Sequence, residues 1–137
     1  MRVLEISIRR FRGFEELTFQ PGRHVALIGE PRAGRSDLIE GLRRVLTSDG
    51  VRHTTPSELD LWMVDTARRA EVEVVLGNLG PDLEQDFLDH IEAWDAEEGT
   101  LASPKPPTQA VSIDETAWVL RLCYRIKWQP DHEQAVH

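Results

Sequence analysis

Hydrophobic positions along the chain change period several times, and each change predicts an element. In "RVLEISIRRF", Leu4, Ile6 and Ile8 alternate with Val3, Glu5 and Ser7, the period-2 pattern of a half-buried strand. "RGFEELTF" predicts a tight turn at Gly13 and a second strand ending near Phe19, and "QPGR" is a turn built on Pro21 and Gly22. "HVALIG", residues 24–29, is apolar throughout and reads as a central strand buried on both faces. A helix is expected from Ser36, where Leu38, Ile39, Leu42, Val45 and Leu46 recur at helical spacing. Arg43 and Arg44 suit its C-terminal dipole, and Ser48, Asp49 and Gly50 stop it.

Further along, "VRHTTPSEL" reads as a connecting loop and "LDLWMVDTARRA" as a short helix or an extended segment. "AEVEVVLGNL" alternates again, with Val72, Val74 and Leu76 on one face. From Pro81, Leu83, Phe87, Ile91 and Trp94 form one stripe, which predicts an acidic helix across "PDLEQDFLDHIEAWDAEE". "GTLASPKPPTQA" is a proline-rich loop. In "AWVLRLCYRIKW", Trp118, Leu120, Leu122, Tyr124, Ile126 and Trp128 share one strand face, with Arg121, Cys123, Arg125 and Lys127 on the other.

A chain of 137 residues fits one domain, divided here into strands, loop and helix (1–46), a connector (47–69), a strand–helix–strand unit (70–128) and a tail (129–137). The net charge of −8 is uneven: residues 1–55 carry ten Lys/Arg against seven Asp/Glu, and residues 56–137 carry six against seventeen. A phosphate ligand therefore favours the first part, and the absence of a dense basic stripe argues against direct DNA binding. No apolar run reaches the roughly 18 residues of a membrane helix. A single cysteine, Cys123, excludes an internal disulfide and a cysteine-based metal site. A cytoplasmic protein is the expectation.

The strongest chemical signal is "GEPRAGRS". Gly29, four residues, then Gly34, Arg35 and Ser36 have the spacing of a P-loop (Walker A), with arginine in place of lysine. Such a loop works because backbone N–H groups freed by glycine converge at a helix N-terminus, where the dipole adds positive potential. Ser36 is placed to ligate Mg²⁺, and Arg35 to reach the outer phosphates. Three features depart from the pattern. Arg35 is a broad planar fork, Asp37 sets a carboxylate beside Ser36, and Glu30 and Pro31 occupy positions where small residues interfere least, the proline removing a donor.

Residues 4–46, "LEISIRRFRGFEELTFQPGRHVALIGEPRAGRSDLIEGLRRVL", resemble the N-terminus of the ABC-type ATPase heads of RecF-like, SMC-like and OLD-family proteins, with Phe11, Arg12 and Phe14 matching their aromatic–arginine turn. The resemblance implies an α/β fold: a mixed sheet with a P-loop strand–loop–helix and additional antiparallel strands. It implies ATP and Mg²⁺ bound through Arg12 and the loop Gly29, Glu30, Pro31, Arg32, Ala33, Gly34, Arg35, Ser36 and Asp37, with Ser36 on the metal. It also implies work linked to DNA repair or antiviral defence, with DNA met only indirectly. A Ser/Gly-rich signature segment and a Walker B strand ending in Asp–Glu are missing. "LWMVDT" is a decoy, since Thr66 stands where a glutamate should follow Asp65. No residue is assigned as catalytic. Hydrolysis is expected to need the remainder of a head, a partner subunit or a homo-oligomer. The alternative is a catalytically inactive interaction subunit.

The other candidates read as structural. His132 and His137 belong to a tail, His90 to a surface, Cys123 to a packed strand, and Trp118, Tyr124 and Trp128 to a core stripe.

Overall fold

Two antiparallel ladders flank the first strand, and the rest of the molecule is built outward from them. The structure, a computed structural model, describes residues 1–47, 55–102, 117–129 and 134–136. β1 (Arg2–Phe11) turns back through Arg12 and Gly13 into β2 (Phe14–Phe19), with Phe11 opposite Phe14. On its other edge β1 pairs with β3 (Ala70–Gly77), and β3 pairs with β6 (Ala117–Gln129). β4 (Ile91–Asp95) extends the sheet from β6, and β5 (Thr100–Leu101) ends it. The order is β2-β1-β3-β6-β4-β5, every pairing is antiparallel, and β7 (Gln134–Val136) pairs with β6 off that path. The sheet curls into a half-barrel.

α1 (Arg35–Leu46) lies on one face of this sheet. Leu38 is buried there, with Leu42 and Val45 half-buried, against a cluster containing Ile6, Ile8, Phe11, Val72, Tyr124 and Ile126. Gly41 lets the helix approach: an added Cβ would sit 3.4 Å from Val72 and 3.5 Å from Phe11. A second cluster on the same side joins Val74, Leu76, Leu79, Ile91 and Leu120, with Leu83 of the short α2 (Pro81–Asp86) packed on it. The opposite face carries a smaller cluster of Val75, Trp94 and Val119. Each fully buried aliphatic or aromatic side chain contributes about 1.5–3 kcal/mol, so these clusters hold the sheet in its curl.

Several expectations hold. β1, β3 and β6 form where the alternation places them, β2 follows the expected turn at Gly13 and ends at Phe19, and α1 starts one residue before Ser36. Val72, Val74 and Leu76 share a buried face. The aromatic stripe of β6 is core, with Tyr124 buried and Trp118 and Trp128 half-buried against the clusters.

Others are corrected. The fold is mainly β and all-antiparallel, not the mixed P-loop α/β sheet expected. "HVALIG" lies outside the sheet: residues 24–29 form no ladder, and Val25, Leu27 and Ile28 are exposed, Ile28 at 93 %. Burial on both faces needs a layer packed on each face of the strand, and residues 24–29 follow β2 at the edge of the sheet, where their side chains stay exposed.

The acidic helix ends at Asp86 rather than running through residue 98, because Ile91 and Trp94 pack into clusters on opposite faces of the sheet. Only a strand sends residues three apart to opposite faces. Pairing Ile91–Trp94 with β6 also satisfies backbone groups that a short isolated helix would leave marginal. Leu4 departs from Ile6 and Ile8 because the register shifts between Val3 and Glu5, and it joins the Trp94 cluster instead.

"ELDLWMV" folds into two 3-10 turns, Glu58–Asp60 and Trp62–Val64. The expected tail contributes β7, while the helix stop at Ser48–Gly50 and both His132 and His137 lie outside the described residues.

Candidate phosphate-binding site

The loop before α1 is organised by its backbone. Ala33 N–H donates to the Glu30 carbonyl at 3.1 Å, closing a turn over Pro31 and Arg32. Arg32 and Gly34 take positive φ, 69° and 85°. Gly34 has a second constraint: a Cβ there would lie 3.0 Å from Phe14 Cζ. The first helical bond runs from Leu38 N–H to the Gly34 carbonyl at 3.0 Å, and no side chain caps the helix. The amides of Arg35, Ser36 and Asp37 therefore have no acceptor among the described residues, and they point from the positive end of a three-turn helix.

The side chains differ in how far they are committed. Arg35 and Ser36 are exposed and make no hydrogen bond or ion pair among the described residues, as do Glu30 and Arg32. A groove of about 310 Å³ runs beside the loop, walled by Phe14, Leu17 and Phe19 of β2 and by Leu27, Ile28 and Arg35. Asp37 is held on the other side, its Oδ1 3.5 Å from Arg12 Nη1. The β1–β2 turn presses against this point, since a Cβ on Gly13 would lie 3.0 Å from Asp37 Oδ2.

Arg12 sits next to the loop but is shared. Its Nε donates to Asp60 Oδ1 at 2.9 Å, and its backbone N–H to the Asp60 carbonyl at 3.0 Å. Asp60 is buried and also accepts from Arg44 Nη1 and Nη2, at 2.9 and 3.1 Å, and from Ser57 N–H at 3.0 Å. Burial acts to raise its pKa, but bonds from Arg44, Ser57 and Arg12 outweigh this and hold the carboxyl below its ordinary value. Arg44, equally buried, bonds Glu40 at 2.8 Å and Tyr124 at 3.3 Å, and lies over the rings of Phe11 and Tyr124. Burial disfavours its charge, yet Asp60 and Glu40 keep its pKa above the ordinary arginine value. Glu40 is pulled down to about 2 by its Arg43 bond against some desolvation, with Arg44 assisting.

All ten residues named from the sequence thus occupy one end of α1. Contiguity brings residues 29–37 together, and the hairpin turn delivers Arg12. Asp60 and the buried role of Arg44 were not anticipated. Ser57-x-x-Asp60 is a capping box and was readable as such. Arg44 falls on the inward side of the helix with Leu38 and Gly41, which its reading as a dipole-facing cation overlooked.

The remaining candidates carry no site. Asp65 accepts from Ala67 N–H at 3.1 Å in a turn, so "LWMVDT" forms no metal-binding strand. His90 is exposed. Glu71, Glu73 and Cys123 have ligand atoms within 4.8 Å of one another on the outer face. However, Glu71 is committed to Arg9 at 3.2 Å and Arg125 at 2.7 Å, in register across β1, β3 and β6. Cys123 opens to solvent, but partial desolvation and the Glu71 charge push its thiol pKa up, away from a nucleophile. No helix among the described residues is long and apolar enough to cross a membrane. Comparison with protein-family models and with curated proteins finds no match.

Proposed function

We propose that this chain is a nucleotide-binding lobe of the ABC-type ATPase kind that residues 4–46 resemble, holding ATP phosphates at the head of α1. The observation that carries the reading is the row of three uncommitted amides, Arg35 to Asp37, behind a loop bent by left-handed Arg32 and Gly34. Arg35 supplies charge to the outer phosphates and Ser36 a hydroxyl to Mg²⁺. The aromatic wall of Phe14 and Phe19 gives a base a surface to stack on.

Binding and turnover separate in this proposal. No described residue is assigned as a water-orienting base, and Asp37 and Asp60, the acids beside Arg12, are paired with arginines. Hydrolysis is assigned to residues of another segment or subunit, for which the exposed and unpaired residues 25–28 offer an attachment segment. A role in DNA repair or phage defence rests on the resemblance alone. The same exposed segment favours the second reading, an interaction subunit that binds no nucleotide.

Titration with a fluorescent ATP analogue, with and without Mg²⁺, separates the two. The lobe binds in a Mg²⁺-dependent way, Arg35→Ala weakens binding by about tenfold, and Ser36→Ala removes the Mg²⁺ dependence. Absence of binding selects the interaction subunit. Robust turnover by the isolated chain contradicts the division of labour.

A further inference from the structure

The Arg12 guanidinium spans two carboxylates of unequal hold. Nε is firmly bonded to buried Asp60 at 2.9 Å, whereas Nη1 reaches Asp37 only at 3.5 Å, the outer limit of a hydrogen bond. Asp37 belongs to the first turn of α1, where an incoming phosphate would sit. Asp60 ends the first of the two 3-10 turns, and its backbone carbonyl also receives Arg12 N–H. The adjoining bridge between Phe11 and Leu61 fixes this segment to the β1–β2 turn.

Residues 58–64 are an unusual element to fasten so tightly. Met63 and Val64 both have φ of 54°, a region costly for any L-residue and most of all for a β-branched one. Leu59, Met63 and Val64 are exposed, at 72 %, 77 % and 46 %. A strained, apolar tip is therefore held through Asp60 by two arginines, the buried Arg44 and the half-buried Arg12, the side chain next to the phosphate loop.

We propose that Arg12 is a positioning residue that couples occupancy of the phosphate loop to the conformation of the Ser57–Asp65 turn. This rests on the phosphate-binding reading above. Phosphate oxygens compete with Asp37 for the outer nitrogens of Arg12 and draw the guanidinium toward the loop. That movement lengthens the Nε bond to Asp60, and the 3-10 turns, already strained, open more often. Arg44 and Ser57 N–H keep Asp60 anchored meanwhile, so the change stays local.

The test is amide hydrogen exchange of the full chain with and without MgATP, read at Asp60, Leu61, Val64 and Asp65, whose amides close the turns. Saturation with MgATP is expected to speed exchange there by about threefold or more. Arg12→Lys keeps a charge for phosphate but lacks the fork that reaches two carboxylates. It is expected to exchange fast at these amides without ligand and, at a MgATP concentration that calorimetry shows to be saturating for the variant, to gain nothing further. Parallel calorimetry keeps the two claims apart. Wild-type binding with unchanged exchange at residues 57–65 overturns the coupling and leaves the phosphate site standing. Absence of binding overturns the phosphate site itself, and the coupling with it. Parent-like exchange and response in Arg12→Lys also overturn the role given to Arg12.

Discussion

Asp60→Ala removes the carboxylate on which the interior of the α1 face depends. Asp60 and Arg44 side chains are only 3 % and 2 % exposed, and Asp60 accepts four hydrogen bonds, two from Arg44 and one each from Arg12 and Ser57. After truncation, Arg44 retains Glu40 at 2.8 Å and Tyr124 at 3.3 Å, leaving part of a buried guanidinium without its counter-charge. Breaking a buried pair by removing one partner costs about 3–5 kcal/mol, because the orphaned charge keeps its desolvation penalty. Against a typical domain stability of about 5–15 kcal/mol, that is a large fraction. Equilibrium urea unfolding followed by far-UV circular dichroism measures it, read as a fall in midpoint at unchanged slope. Arg44→Met is expected to cost less, since Arg12 and Ser57 N–H still satisfy Asp60 and the methionine fills the space of the arginine stem. A loss below about 1 kcal/mol for Asp60→Ala, or the reverse order of the two variants, would refute the claim that this network organises the core.

Gly34→Ala forces a left-handed φ of 85° on an L-residue and sets a Cβ 3.0 Å from Phe14, so a loss of about 1–2 kcal/mol in the same unfolding assay is expected. Ile28→Asp is expected to change stability by less than about 0.5 kcal/mol, because the side chain is 93 % exposed; a loss of several kcal/mol would restore the buried central strand. Glu40, Asp60 and Glu71 have folded pKa values below their ordinary ones, Glu40 at about 2, so their contribution is complete above the unfolded carboxylate range. Stability is therefore expected to fall as pH drops from about 5 toward 2, and Glu40→Gln to flatten the lower part of that decline; a pH-independent unfolding free energy over this range contradicts the pairing.

Local alternation was enough to place β1, β3 and β6, because each sets a run of apolar residues toward α1 against charged or polar ones for much of the other face, and period 2 records that; β2 followed from the turn at Gly13. α1 was legible for the same reason at period 3.6. "HVALIG" misled because composition records a capacity for burial but not which strands are present to provide it. The stretch from Leu83 to Trp94 misled because spacings of three and four fit a helix stripe and also a short helix followed by a strand; contacts with β6, distant in sequence, decide between them. The candidate loop, residues 29–36, was visible as glycine spacing and a serine. The Asp60–Arg44 pair was hidden because it joins residues sixteen positions apart, and only tertiary structure shows that both are dry.

Amide chemical shifts of the ¹⁵N-labelled chain, followed through a titration with MgATP, test the central claim most directly. The account predicts saturable shifts that are largest at Arg35, Ser36 and Asp37, the amides left open at the head of α1, and reduced in Arg35→Ala. Shifts confined to other regions, or none at all, would contradict it.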